Sequence, residues 1–387
     1  MFSRRTDWNL APNRLTKAVE QLRQAGTRIF DLTISNPTRS GLSYDHAAIL
    51  DSLRNMESLD YDPQPRGLLS AREAVTDYYR RRGETVDPGF LVLTTGTSEA
   101  YSFVFQLLAN PGDEILVATP SYPLFDFLAD LQDVKLVPFS LIYDHGWQID
   151  FHTLEQAISE KTRAIVLVHP NNPTGSYVSA DERVRLNDLC AEHQLALIVD
   201  EVFLDYPHDD VHRSSFVCNN VALTFTLSGI SKISALPQMK LAWIAISGPD
   251  AHRQAAMERL EVIADTYLSV STPVQWAVRN LIEQRKTIQP QLLNRIRTNL
   301  AELDRQLRQQ NACARLAVEG GWYAVLRVPA IRSDEELAVD LLHKCGVLVH
   351  PGHFYDFPQD GYLVLSLISR VEDFREGTSR LLKFFKT

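Results

Sequence analysis

Seven short apolar runs, at residues 91–95, 114–118, 134–139, 164–168, 195–199, 221–227 and 241–246, recur with helix-like stretches between most of them. Each is long enough for one strand, and a strand reached through a helix returns parallel to its predecessor. This alternation predicts an α/β fold whose large domain carries a mostly parallel seven-stranded sheet. At 387 residues the chain exceeds one ordinary core, so a second domain is expected. Beyond residue 285 the texture changes. Leu292, Leu293, Ile296, Leu300, Leu303 and Leu307 mark one face of a long amphipathic helix. Strand-like segments follow at 322–328 and 362–367, with a helix-like stretch between them. Residues 48–280 are assigned to the large domain, and 1–47 with 281–387 to a smaller α+β domain.

Composition narrows the function classes. A net charge of −9 argues against a nucleic-acid surface. The longest apolar runs are far too short to span a bilayer, so no membrane role is expected. Arg4-Arg5 is followed by the polar Thr6-Asp7-Trp8-Asn9, which does not read as an export signal. Cys190, Cys218, Cys313 and Cys345 are scattered, without metal-site spacing or a disulfide rhythm. The expectation is a cytoplasmic protein without a metal.

Polar residues gather where the runs end. His169-Pro170-Asn171-Asn172-Pro173-Thr174-Gly175 follows the fourth run, Asp200-Glu201-Val202-Phe203 the fifth, and Ser228-Gly229-Ile230-Ser231-Lys232 the sixth. Open α/β sheets bind ligands beyond the carboxyl ends of their strands. Asn172 reads as part of a tight turn or as a donor to a ligand oxygen. Asp200, at a buried strand end, needs a cationic partner, either in a structural salt bridge or in a protonated pyridine nitrogen. Lys232 is the residue type that forms a Schiff base when desolvated, and Lys240 supplies positive charge for a phosphate. Gly96-Thr97-Ser98-Glu99, between a strand and a helix, reads as a phosphate cup or as an ordinary capped helix. Tyr122, in Pro120-Ser121-Tyr122-Pro123, offers a flat surface for stacking, or is a structural turn aromatic.

In this order the motifs resemble those of the fold type I pyridoxal-phosphate enzymes, in particular the class I/II aminotransferases, over nearly the whole chain. The resemblance implies pyridoxal 5'-phosphate as cofactor and amino-group transfer between an L-amino acid and a 2-oxo acid. It implies Lys232 as the Schiff-base lysine, Asp200 as partner of the pyridine nitrogen, Asn172 as donor to the ring hydroxyl and Tyr122 as the stacked ring. Gly96, Thr97, Ser98, Ser231 and Lys240 would complete the cofactor site. Tyr61 matches a tyrosine that reaches the phosphate of a neighbouring subunit, which implies a homodimer with shared active sites. The same parts also serve decarboxylases and β-lyases. A non-catalytic cofactor-binding regulator is the remaining alternative, against which Lys232, Asp200 and Asn172 all stand.

Three positions depart from the family pattern. Phe203 stands where a tyrosine is usual, removing a hydroxyl from the cofactor's ring oxygen, which would raise the proton affinity of the Schiff base. Lys240 replaces an arginine, a point charge for a bidentate fork. Val364 occupies the position of the arginine that holds the substrate carboxylate, which leaves Arg39 or Arg370 as the replacement. Ser35, Asn36, Asn172, His353 and Tyr355 complete the expected substrate set. Tyr44, Trp322, Tyr323 and Phe354 are pocket or core aromatics. The segment Asp265-Thr266-Tyr267-Leu268 has no arginine for a second carboxylate, so aspartate is not the favoured donor.

Overall fold

Strands buried on both faces call for mostly apolar side chains, and the runs of the first two thirds supply them. The computed structural model describes residues 1–122, 125–268 and 270–386. After a short strand β1 (Phe30–Asp31) come β2 (Leu91–Thr94), β3 (Glu114–Thr119), β4 (Lys135–Tyr143), β5 (Trp147–Ile149), β6 (Thr162–Val168), β7 (Ala196–Asp200), β8 (Thr224–Gly229) and β9 (Ala242–Ser247). These eight form one sheet in the order β2-β9-β8-β7-β6-β3-β4-β5. The pairings from β8 through β7, β6 and β3 to β4 are parallel, while β9 runs antiparallel to both β8 and β2.

The sheet has eight strands where seven were expected. The addition is β5, which folds back antiparallel on the outer end of β4. Its three residues are half-buried, exposed and buried in turn, so they carry no continuous apolar signal.

Side chains alternate across the sheet as the strand period of two demands. Ala164, Val166 and Val168 of β6 pack on one face, with helices Thr97–Leu108 and Asp250–Tyr267. Ile165 and Leu167 pack on the other, with Leu186 and Cys190 of helix Ala180–His193. Fully burying one such side chain stabilises the fold by about 1.5–3 kcal/mol. The strand ends are therefore held by the densest part of the molecule.

A second body of structure follows the long helix Arg285–Leu307. Strands β10 (Ala314–Arg315) and β11 (Tyr323–Arg327) precede β12 (Val347–Leu348), β13 (His350–Pro351) and β14 (Tyr362–Ser366). β10, β11, β14 and β13 form an antiparallel sheet in that order, while β12 pairs in parallel with β1. Leu15, Val19, Phe30 and Leu32 from the beginning of the chain share one core with Leu292, Leu303, Leu341 and Leu381. Val202, Phe203 and Tyr206, just past β7, enter the same core and couple it to the large sheet. The turn ending at Gly175 is docked there too: Gly320 N donates to Gly175 O, and a Cβ on Gly175 (φ +72°) would lie 2.4 Å from Gly320 O. Only glycine fits that approach.

Candidate active site

Because β6, β7 and β8 are parallel neighbours, Asn172, Asp200 and Lys232 emerge side by side from consecutive strand ends. Asp200 is the last residue of β7. Lys232 sits on the one-turn helix Ile230–Ile233 that immediately follows β8. All three border a cavity of about 390 Å³, and so do Gly96, Thr97, Ser98, Tyr122, Phe203, Ser231 and Lys240.

Electrostatics in this cavity are those of desolvated groups. Burial pulls the Lys232 ammonium down to about 8, against an opposing pull from Asp200. Burial also pushes Asp200 up to about 6, while hydrogen bonds from Val202 N and Tyr101 Oη and the charge of Lys232 oppose the rise. The two feel each other's charge without forming an ion pair. Lys232 Nζ instead lies 4.9 Å from the ring centre of Trp322 and 5.5 Å from that of Phe203. A lysine stripped of water has an amine within reach of neutral pH, even though the aromatic faces favour its ammonium.

Several groups are left in want of a ligand. Asn172 Oδ1 is buried without a hydrogen-bond partner. Helix Thr97–Leu108 has no side chain capping its N-terminus, so its first amide N–H groups face the cavity mouth unpaired. A Cβ at Gly96 would meet nothing within 4 Å, which leaves room there for an anion. Lys240, in the left-handed region at φ +53°, borders the same end. An anion site, a buried amide, an acid and a nucleophilic amine around one cavity fit pyridoxal phosphate. Thr97, Ser98 and Lys240 would hold its phosphate, Asn172 its ring hydroxyl, Asp200 its ring nitrogen and Lys232 its aldehyde carbon.

The structure separates the expected substrate set. Ser35 and Tyr355 border the cavity; Asn36, Arg39, His353 and Arg370 do not. Asn36 spends its side-chain oxygen on Thr38 as a cap. Arg39 is exposed, and Arg370 lies against Gly41. His353 is also exposed, its ring edge-on to Phe354 at 4.7 Å. Tyr61 is 80% exposed and away from the cavity of its own chain. Pro123 lies outside the described residues. Among the remaining aromatics, Tyr323 borders the cavity, Trp322 backs Lys232, and Tyr44 donates to Ala235 O.

Two residues of the site carried no sequence signal. Tyr101 Oη donates to Asp200 Oδ2 at 3.2 Å, yet in the sequence it is one apolar-face residue of a helix. His350 borders the cavity with Nδ1 3.0 Å from Tyr355 Oη, while the segment around it had pointed to His353. The strand β13 turns His350 inward, and the 3-10 turn Gly352–Tyr355 carries His353 out.

The Tyr101 contact has a measurable consequence. In Tyr101→Phe, Asp200 loses a donor to its charged form, so its pKa rises and the acid limb of the activity–pH profile moves to higher pH. A lost hydrogen bond to a charged group predicts a rate lower by roughly tenfold at pH 7. An unmoved acid limb would show that Tyr101 only fills space.

The chain is similar to known proteins over nearly its whole length. Residues 29–369 match the family model described as aminotransferase class I and II. The chain is 27% identical over 379 residues to glutamate-pyruvate aminotransferase of Escherichia coli strain K12, covering 95% of this chain and 93% of that one. It is 29% identical over 383 residues to alanine aminotransferase of Mycobacterium tuberculosis strain H37Rv, covering 94% and 87%. Among solved structures, alanine aminotransferase from Pyrococcus furiosus superposes with a TM-score of 0.90 at 22% identity, covering 100% of both chains. That last likeness is one of fold.

Proposed function

This chain belongs to the class I and II aminotransferase family, whose members use pyridoxal phosphate, and we propose that it transfers an amino group between an L-amino acid and a 2-oxo acid with Lys232 as its central residue. The observation that carries the reading is the convergence of Lys232, Asp200 and Asn172 on one cavity with the uncapped helix Thr97–Leu108.

Bound there, pyridoxal phosphate supplies an electron sink for the carbon that loses its proton. The protein's part is to hold and to move protons. Lys232 Nζ, with its pKa drawn down to about 8 by burial, would accept the Cα proton of the substrate and hold it as the general base. Asp200 would face the ring nitrogen and, when ionised, favour a proton on it. Ser231, Thr97, Ser98 and Lys240 would hold the phosphate, and Tyr122 would stack against the ring. Phe203 offers the ring oxygen no hydroxyl. Its ring packs edge-on to Trp322 at 5.2 Å and serves as a wall for Lys232. A homodimer in the cytoplasm, with Tyr61 of each chain reaching the other's phosphate, fits the exposure of Tyr61 on a single chain. Among the described residues no helix is long and apolar enough to cross a membrane.

The names of the relatives make L-glutamate and L-alanine the first donors to test. On adding either to the holoenzyme without an oxo acid, the cofactor's yellow absorption is expected to disappear as one 2-oxo acid is released per site. Persistence of the absorption while carbon dioxide or ammonia appears would assign a lyase instead.

A further inference from the structure

An amino-acid substrate brings a carboxylate beside its amine, and burying that charge without a donor is strongly unfavourable. The wall of the cavity contains no arginine among the described residues, and its lysines are Lys232 and Lys240 alone. Lys232 is engaged with the amino group in the reading above, and Lys240 stands at the phosphate end. The carboxylate needs another partner.

His350 meets the requirement. It opens β13 at the cavity wall, and its direct cross-strand partner in β14 is Val364, the position where an arginine was expected. Opposed residues on neighbouring strands present their side chains to nearly the same space. The donor missing from one strand is thus available on the next. Burial holds the His350 imidazole down to about 4, so it is neutral at physiological pH, with Asp31 of β1 the charged group acting on it. The other neighbours are Phe354 and the Tyr355 hydroxyl from the following turn and apolar Val364. His350 Nδ1 lies 3.0 Å from Tyr355 Oη; in the tautomer in which Nδ1 accepts the tyrosine proton, the neutral ring carries its own proton on Nε2. Among the described residues the hydrogen bond of this ring is the one at Nδ1.

We propose that His350 Nε2–H binds the substrate carboxylate, with Tyr355 as the positioning residue that fixes the tautomer. The proposal rests on the amino-acid reading above. It makes His350 a determinant of substrate class: molecules with a hydrogen-bond acceptor beside the amine are selected, and a permanent cation is not used for the purpose.

The test is steady-state kinetics of the holoenzyme with L-glutamate and pyruvate. His350→Leu is expected to raise the donor KM by about tenfold or more with kcat within about threefold, the signature of lost ground-state binding. His350→Gln retains an N–H donor and recovers most of that loss. Tyr355→Phe frees the tautomer and raises KM by a smaller factor; it also carries the test if the leucine variant does not fold. The proposal is overturned by an unchanged KM in His350→Leu, by a glutamine variant no better than leucine, or by Arg39→Ala or Arg370→Ala raising KM as far. A wild-type holoenzyme that turns over no amino acid overturns the amino-acid reading itself, and this proposal with it.

Discussion

Replacing Lys232 with alanine is expected to slow amino-group transfer by about 10³–10⁴-fold, the range for removing a positioned general base, with covalent attachment of the cofactor lost as well. Folding should not suffer. The lysine's pKa falls from an ordinary 10.5 to about 8 in the fold, chiefly through burial. Between those two values the unfolded chain keeps a proton that the folded chain has released, so stability rises with pH across that window. Below pH 8 the full cost of the buried ammonium stands. Lys232→Met, similar in length and uncharged, is therefore expected to stabilise the cofactor-free protein at pH 7 by about 2–3 kcal/mol. That gain should shrink from pH 8 upward and vanish near pH 10.5. Urea denaturation at pH 7 and at pH 10, beside the rate measurement, checks both halves. A methionine variant less stable than wild type at pH 7 would mean that the contacts with Trp322 and Phe203 hold the ammonium more strongly than burial opposes it.

What the sequence made legible follows from where its signals are local. Continuous apolar runs marked seven strands because strands covered on both faces are built mostly of apolar residues. Asn172, Asp200 and Lys232 were readable because each follows such a run directly. β5 escaped because its residues alternate in burial over only three positions. Tyr101 escaped because its link to Asp200 spans 99 residues and its helix position already accounts for an apolar side chain. His350 and His353 differ by three residues, and only the change from β13 to a 3-10 turn decides which faces the cavity. The substrate end was least legible for the same reason. On that side the cavity is bordered by Ser35, His350 of β13 and Tyr355 of the turn after it, pieces whose proximity no local pattern encodes. Leu15, Val19 and Leu32 of the N-terminal segment pack into the second core.

Asp200→Asn is the second change with a large expected effect, and it separates function from folding most sharply. The carboxylate is buried, accepts from Val202 N at 3.0 Å and from Tyr101 Oη, and has no ion-pair partner among the described residues. Its pKa is raised from 3.8 to about 6, so from pH 3.8 to 6 the folded chain holds a proton that the unfolded chain has lost. Stability therefore falls as pH rises through that window, and above pH 6 the whole penalty is present. Asparagine keeps the shape and removes the charge. The cofactor-free variant should be more stable than wild type at pH 7 and indistinguishable from it near pH 3.5. In the holoenzyme the same change removes the anion opposite the ring nitrogen, and kcat should fall by about 10²–10³-fold, the usual cost of losing one preorganised electrostatic contact. Asp200→Glu restores the charge in a displaced position and should recover only part of the rate. Stability gained while activity collapses is what a charge kept for chemistry produces. Were asparagine to lower stability and rate together, Asp200 would be a structural acid, and the ring nitrogen would need a different partner.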